Sequence, residues 1–202
     1  MNTSSMTNFN LSGAQAPAFQ AKRNLTKQRG AFSVDLGMAL LIAAILTVAA
    51  VAAYSNNLRK SSISANITDI QNIASVAKAN YGTTNQYGSI TTAVAVRSHI
   101  VPAQLRDGAA ATATNAFGSP ITFAAANGTG TNDLLTLTWG NVPSSQCAEI
   151  VTGSVGSMRR ITVAGTVVKP LDGALAIDTL STACEANTAD GNVTVLFDIG
   201  RS

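Results

Sequence analysis

Charge is scarce in this sequence: 11% of its 202 residues are Asp, Glu, Lys or Arg, and between Arg29 and Arg59 there is only Asp35. Histidine occurs once, at His99, and cysteine only at Cys147 and Cys184. Two thiols and one imidazole are too few soft ligands for a metal site. His99 stands beside Ile100 and Val101 with no carboxylate or thiol near it, and reads as an ordinary surface or loop residue. There is no Gly-x-Ser-x-Gly turn, no glycine-rich phosphate loop and no pair of carboxylates beside a histidine. These absences argue against an enzyme and call for no catalytic residue, cofactor or metal. Proline is missing from residues 31–81, so nothing in that stretch obliges a helix to break.

The formal net charge of +3 is unevenly placed. Four of the 13 basic residues, Lys22, Arg23, Lys27 and Arg29, precede Gly30, in a segment without acids, so residues 31–202 keep nine basic against ten acidic side chains. Apart from Arg59-Lys60 and Arg159-Arg160 the remaining cations are dispersed, which excludes nucleic-acid binding as the main function. Arg159-Arg160 reads as a solvated strand end, the alternative being a subunit interface in which the pair meets acids on a neighbour.

An almost unbroken apolar run covers residues 36–54. At 1.5 Å per residue it spans about 28 Å, close to the hydrocarbon thickness of a bilayer, so one helix here crosses a membrane once. The basic cluster before it keeps residues 1–30 on the cytoplasmic side and sends the remainder outward. An ordinary secretory signal places its small-residue cleavage site after the apolar region; here the small residue, Gly30, lies before it. Cutting after Gly30 leaves the apolar helix in the mature chain and creates a new α-amine at Ala31. Asp35, an acid at the start of that helix, is costly in hydrocarbon without a positive partner, and the Ala31 amine supplies one.

This order of features, Lys27-Gln28-Arg29-Gly30, then Ala31-Phe32-Ser33-Val34-Asp35, then the apolar helix, resembles the type IV pilin family. The resemblance implies a prepilin peptidase that cuts after glycine on the cytoplasmic side. It also implies an acid at the fifth mature position that pairs with an N-terminal amine during filament assembly. The family's usual acid is Glu, one methylene longer than Asp35. The thirty-residue leader is similar to the type IVb branch, which includes bundle-forming pilins and the thin pilins of conjugative plasmids. Asn115-Ala116-Phe117-Gly118-Ser119-Pro120-Ile121, with Ala116 and Ser119 where Pro and Gly are usual, resembles a loop of that branch. Thr182-Ala183-Cys184-Glu185 and Asn192-Val193-Thr194-Val195 resemble its closing cysteine and last strand. The similarity covers 31–81 and 115–199. It implies a helical homopolymer as the self-partner and the inner-membrane pilus assembly machinery as a further partner. The subunit would begin as a single-pass inner-membrane precursor and end in an extracellular pilus. A minor pilin, a secretion pseudopilin and a signal-anchored periplasmic binding or adhesion module are the alternatives.

Three segments follow: a cleaved leader (1–30), a transmembrane and assembly half of the helix (31–58), and a globular head (59–202) that includes the helix's amphipathic half. Ile63, Ile67, Ile70, Ala74 and Ala77 recur at helical spacing, flanked by Ser64, Asn66, Thr68, Asp69 and Gln71, so one helix is expected from Ala31 to about Tyr81, ending near Gly82. Residues 83–114 are expected to form a loop with a short helix over 90–97. From Ile121 the period shifts toward two, at Leu135, Leu137 and Trp139 and again at Val193, Val195, Phe197 and Ile199, and residues 161–168 form a further β-branched run. Asn127-Gly128, Asp172-Gly173 and Asp190-Gly191 supply turns, and Pro143-Ser144-Ser145 is expected to cap a short helix carrying Cys147. The predicted fold is α+β: a long N-terminal helix, its apolar half protruding, its amphipathic half packed against an antiparallel sheet of four or five strands. In the oxidising compartment implied by this topology Cys147 and Cys184 form a disulfide near the C-terminus, the alternative being two buried thiols.

Overall fold

Nothing between residues 32 and 81 interrupts the helical pattern, and the computed structural model carries a single helix there, α1 (Phe32–Tyr81, 50 residues). The structure describes residues 32–82, 87–186 and 191–200, with residues 32–36 by backbone alone. The helix stops at Gly82, whose N–H donates to the Lys78 carbonyl at 2.9 Å. A Cβ there would lie 2.5 Å from that carbonyl oxygen, so glycine fits the exit. The chain divides into two compact units, Met1–Ala49 and Ala50–Ser202.

Within the second unit five strands form an antiparallel sheet: β3 (Thr122–Ala126), β4 (Leu134–Pro143), β5 (Arg160–Val163), β6 (Thr166–Lys169) and β7 (Asn192–Gly200), in the spatial order β3-β4-β7-β5-β6. The period of two in the sequence decides which side chains turn inward: Leu135, Leu137 and Trp139 of β4 and Val193, Val195, Phe197 and Ile199 of β7 are all buried. They share one core with Ile63, Ile70, Ile73, Ala74 and Ala77 of α1. This is the α+β arrangement that the sequence predicts.

Several local features differ from the sequence pattern. The run 161–168 is not one strand but a hairpin, β5 to β6, turning at Ala164 (φ 47°) and Gly165 (φ 82°). Positive φ at both residues is the two-residue turn whose twist matches that of the strands. Asn66, expected on the polar flank, is fully buried. Its Nδ2 donates to the Ser62 carbonyl at 2.8 Å and its Oδ1 accepts the Trp139 indole N–H at 3.2 Å, fastening α1 to the middle of β4. Arg159 and Arg160 are not a solvated strand end. Arg159 pairs with Asp172 at 2.6 Å, and Arg160 with Asp198, which is 3% exposed on β7 and also accepts from Thr136. Asp198 lies directly opposite both Arg160 and Thr136 in the strand register, so the three side chains cross the sheet in one row.

Residues 87–114 hold the expected short helix, α2 (Thr92–Arg97), with Thr91 accepting from the Val94 N–H, and also a small ribbon, β1 (Arg106–Asp107) with β2 (Thr112–Ala113). Cys147 lies on α3 (Ser144–Ser154), as the sequence indicates, but no side chain caps that helix. Ser144 instead donates through both its N–H and its Oγ to the Gly191 carbonyl, at 2.9 and 3.1 Å, which ties the start of α3 to the start of β7. Cys184 lies on α4 (Ile177–Glu185).

Candidate functional site

The part of the chain with the least to do in the fold is the first half of α1. Met38, Leu40, Leu41, Ile42, Ile45, Leu46, Val48, Val51 and Leu58 are each more than half exposed, with Val48 at 71%. The helix from Gly37 onward contains an 18-residue window of mean hydropathy 2.3, none of it buried, and passes the length and composition test for a membrane span. The apolar side chains occupy every face of the helix, so turning it cannot hide them from water. Backbone pairs are made within the helix, and the hydroxyls of Thr47 and Ser55 bond back to it, to the Ala44 carbonyl at 2.8 Å and to the Ala52 carbonyl at 3.0 Å. Such a surface is stable only in lipid or against other apolar chains.

Of the residues that the sequence singles out, Gly30 and Ala31 lie outside the described residues. Asp35 falls in the first turn of α1. Cys147 and Cys184 are brought together as a disulfide with their Cα atoms 5.7 Å apart, joining α3 to α4.

Where the apolar run ends, Arg59 turns to α3, donating to the Ser145 carbonyl and pairing with Glu149 at 3.3 Å. A second link follows two turns on, where Gly153 of α3 lies so close to α1 that a Cβ would meet Ile67 Cδ1 at 2.4 Å, and Gln71 donates to the Gly153 carbonyl at 2.8 Å. Asp69, placed on the polar flank by the sequence pattern, is 8% exposed, and burial raises its pKa while Gln104 opposes that. At the far end of α1 Lys78 has a lowered pKa, from burial first and then from the charges of Arg159 and Lys169.

The loop 115–121 is organised by one side chain. Asn115 is buried; its Oδ1 accepts from the N–H groups of Phe117 (3.0 Å) and Ser119 (2.9 Å), and its Nδ2 donates to the Gly140 carbonyl at 2.8 Å. Gly118 takes the positive φ of 74° that the turn requires. The loop 127–133 closes around Asp133, whose carboxylate accepts from the N–H groups of Gly128, Thr129 and Gly130 and is held down to a pKa of about 2 by them.

An apolar helix that continues into an α+β head of this topology is the architecture of a type IV pilin. The type IV b pilin from Salmonella typhi has the same fold, with a TM-score of 0.50 and 24% identity over 66% of this chain and 97% of that one. TcpA, a type IV pilin from Vibrio cholerae El Tor biotype, matches over 66% of this chain and 98% of its own, with 18% identity and a TM-score of 0.44. No curated protein matches the sequence. The family model described as PilS N terminal matches residues 60–199, and the chain belongs to the PilS family of type IVb pilins.

Proposed function

We propose that this pilus subunit is cut by a prepilin peptidase after Gly30, held in the bacterial inner membrane by the helical half 31–58, and then drawn out and polymerised into a surface filament. Residues 1–30 are the leader and 59–202 the head that the filament displays. The role is structural, with no reaction catalysed. The observation that carries this reading is the fully exposed apolar stretch of α1 in a chain whose head is a pilin head.

Lipid and a bundle of other copies' helices are both apolar, so transfer between them changes little of the roughly 25 cal/mol per Å² that burial of each apolar face contributes. What distinguishes the bundle is charge. Cleavage frees the Ala31 amine, and Asp35 of one copy pairs with that amine in the next. An acid left unpaired in the apolar bundle costs several kcal/mol, so the stagger that pairs every Asp35 is the one that forms. The copies meet head to tail, and such contacts repeat into an open filament.

The test uses sheared surface material from cells expressing the full chain. Filaments should contain a subunit whose N-terminal sequence starts at Ala31. Asp35→Ala should reach the membrane at the parent level and lose most of its filaments. A mature chain that begins elsewhere than Ala31 overturns the cleavage site, and a parental filament yield from Asp35→Ala overturns the pairing.

A further inference from the structure

Asp69 lies on α1, and its carboxylate is only half used. Oδ1 accepts from Gln104 Nε2 at 2.8 Å, and no described group bonds the other oxygen. The carboxylate borders a solvent-open cavity of about 510 Å³ on the surface, lined also by Ser61, Ser64, Ala65, Thr68 and Gln104. Thr68 Oγ1 is committed to the Ser64 carbonyl at 2.9 Å. The wall therefore presents a carboxylate, hydroxyls and an amide, and no cation. Desolvation without a counter-ion keeps the acid's pKa above its ordinary value. The ligand class that suits such a cavity is an ammonium on a slender apolar stem.

The chain carries one on the same helix. Of the neighbouring cations Arg59 and Lys60, Arg59 is engaged by Glu149 and the Ser145 carbonyl, whereas Lys60 is exposed and makes no ion pair among the described residues. Lys60 cannot serve its own Asp69. Nine residues of helix separate them by about 13.5 Å of rise and about half a revolution, which puts the two on opposite faces of α1. Two complementary groups on opposite faces of one element make a head-to-tail contact, of the kind that propagates from copy to copy.

The axial spacing agrees. Pairing Asp35 with the Ala31 amine of the next copy displaces copies by four helical residues, about 6 Å, and one helical operation gives every residue of a copy the same axial displacement. Residue 60 of the next copy then comes level with Ser64, on the wall of the cavity. It lies about 7.5 Å along the helix from Asp69, a gap that a four-carbon stem spans.

We propose that the cavity at Asp69 receives the Lys60 ammonium of the neighbouring copy, a second ionic register point at the base of the head. The inference rests on the filament reading above. Isolated wild-type filaments treated with a water-soluble carbodiimide, which joins amines and carboxylates in direct contact, should yield subunit ladders whose linked peptide joins Lys60 to Asp69. Detergent-dispersed subunits should not. Lys60→Gln should abolish that product and make filaments dissociate at lower salt, while Lys60→Arg should keep the parental salt resistance although it cannot be crosslinked. Filaments that form but lack the Lys60 to Asp69 product, or a Lys60→Gln filament as salt-resistant as the parent, overturn the proposal and leave the filament reading standing. Failure of the parent chain to form filaments at all overturns both.

Discussion

Single side chains decide how the head is joined. Among the described residues Asn66 is the only partner of the Trp139 indole N–H, and both residues are fully buried. Asn66→Ala leaves that donor unpaired in the core and should cost about 1–3 kcal/mol, measurable by chemical denaturation of the full chain in detergent. The position was legible in the sequence even though its identity misled. Asn66 is three residues after Ile63 and four before Ile70, which puts it on the buried stripe, although its polar side chain suggests the outer face. Asp133 works on a loop instead. Its folded pKa of about 2 is below the ordinary carboxylate value of 3.8, so its contribution to stability is fully present above the ordinary value and is lost as pH falls through about 2. Asp133→Asn should therefore remove part of the slope of stability against pH between about 4 and 2, read from acid unfolding curves of parent and variant. The sequence pattern showed only a turn at Asn127-Gly128, because the fold of that loop depends on a carboxylate five residues further along.

At the scale of elements, what repeats was readable and what pairs at a distance was not. The helix, β4 and β7 each state their period over many residues, and all three appear where the sequence placed them. The break between β5 and β6 was missed because Ala164-Gly165 is not among the strong hairpin dipeptides, although Gly165 supplies one of the positive φ values. The partners of Arg159 and Arg160 are likewise not legible in the sequence. Their acids, Asp172 and Asp198, become neighbours only once the strand order β7-β5-β6 is formed. The helices α3 and α4 depend on their crosslink. With its ends 37 positions apart in the sequence, the disulfide contributes about 4 kcal/mol in the chain-entropy model. Replacing both cysteines by alanine should lower the unfolding free energy by about that amount while leaving the sheet's circular-dichroism signal in place below the transition.

For the whole molecule, the sequence separated two kinds of surface. The head hides most of its large apolar residues in one core, whereas the first half of α1 keeps its own exposed. That contrast follows from composition alone, since a helix that is apolar all round has no polar face to offer water. Family membership identifies the head as a pilin's, and on the proposed reading the charge pattern at the chain's start would let such subunits exchange lipid for one another. The site at Asp69 was not visible in the sequence, because the depth of a side chain on an amphipathic helix depends on what lies over it, here Gln104.

On the proposed reading, the acid near the start of the helix is satisfied by an amine that processing creates. A high-resolution electron-microscopy map of filaments assembled from the unaltered chain tests it most directly. The account predicts a first residue at Ala31 and an Asp35 carboxylate within hydrogen-bonding distance of that residue's amine in an adjacent copy. A map in which the carboxylate meets no positive group contradicts it.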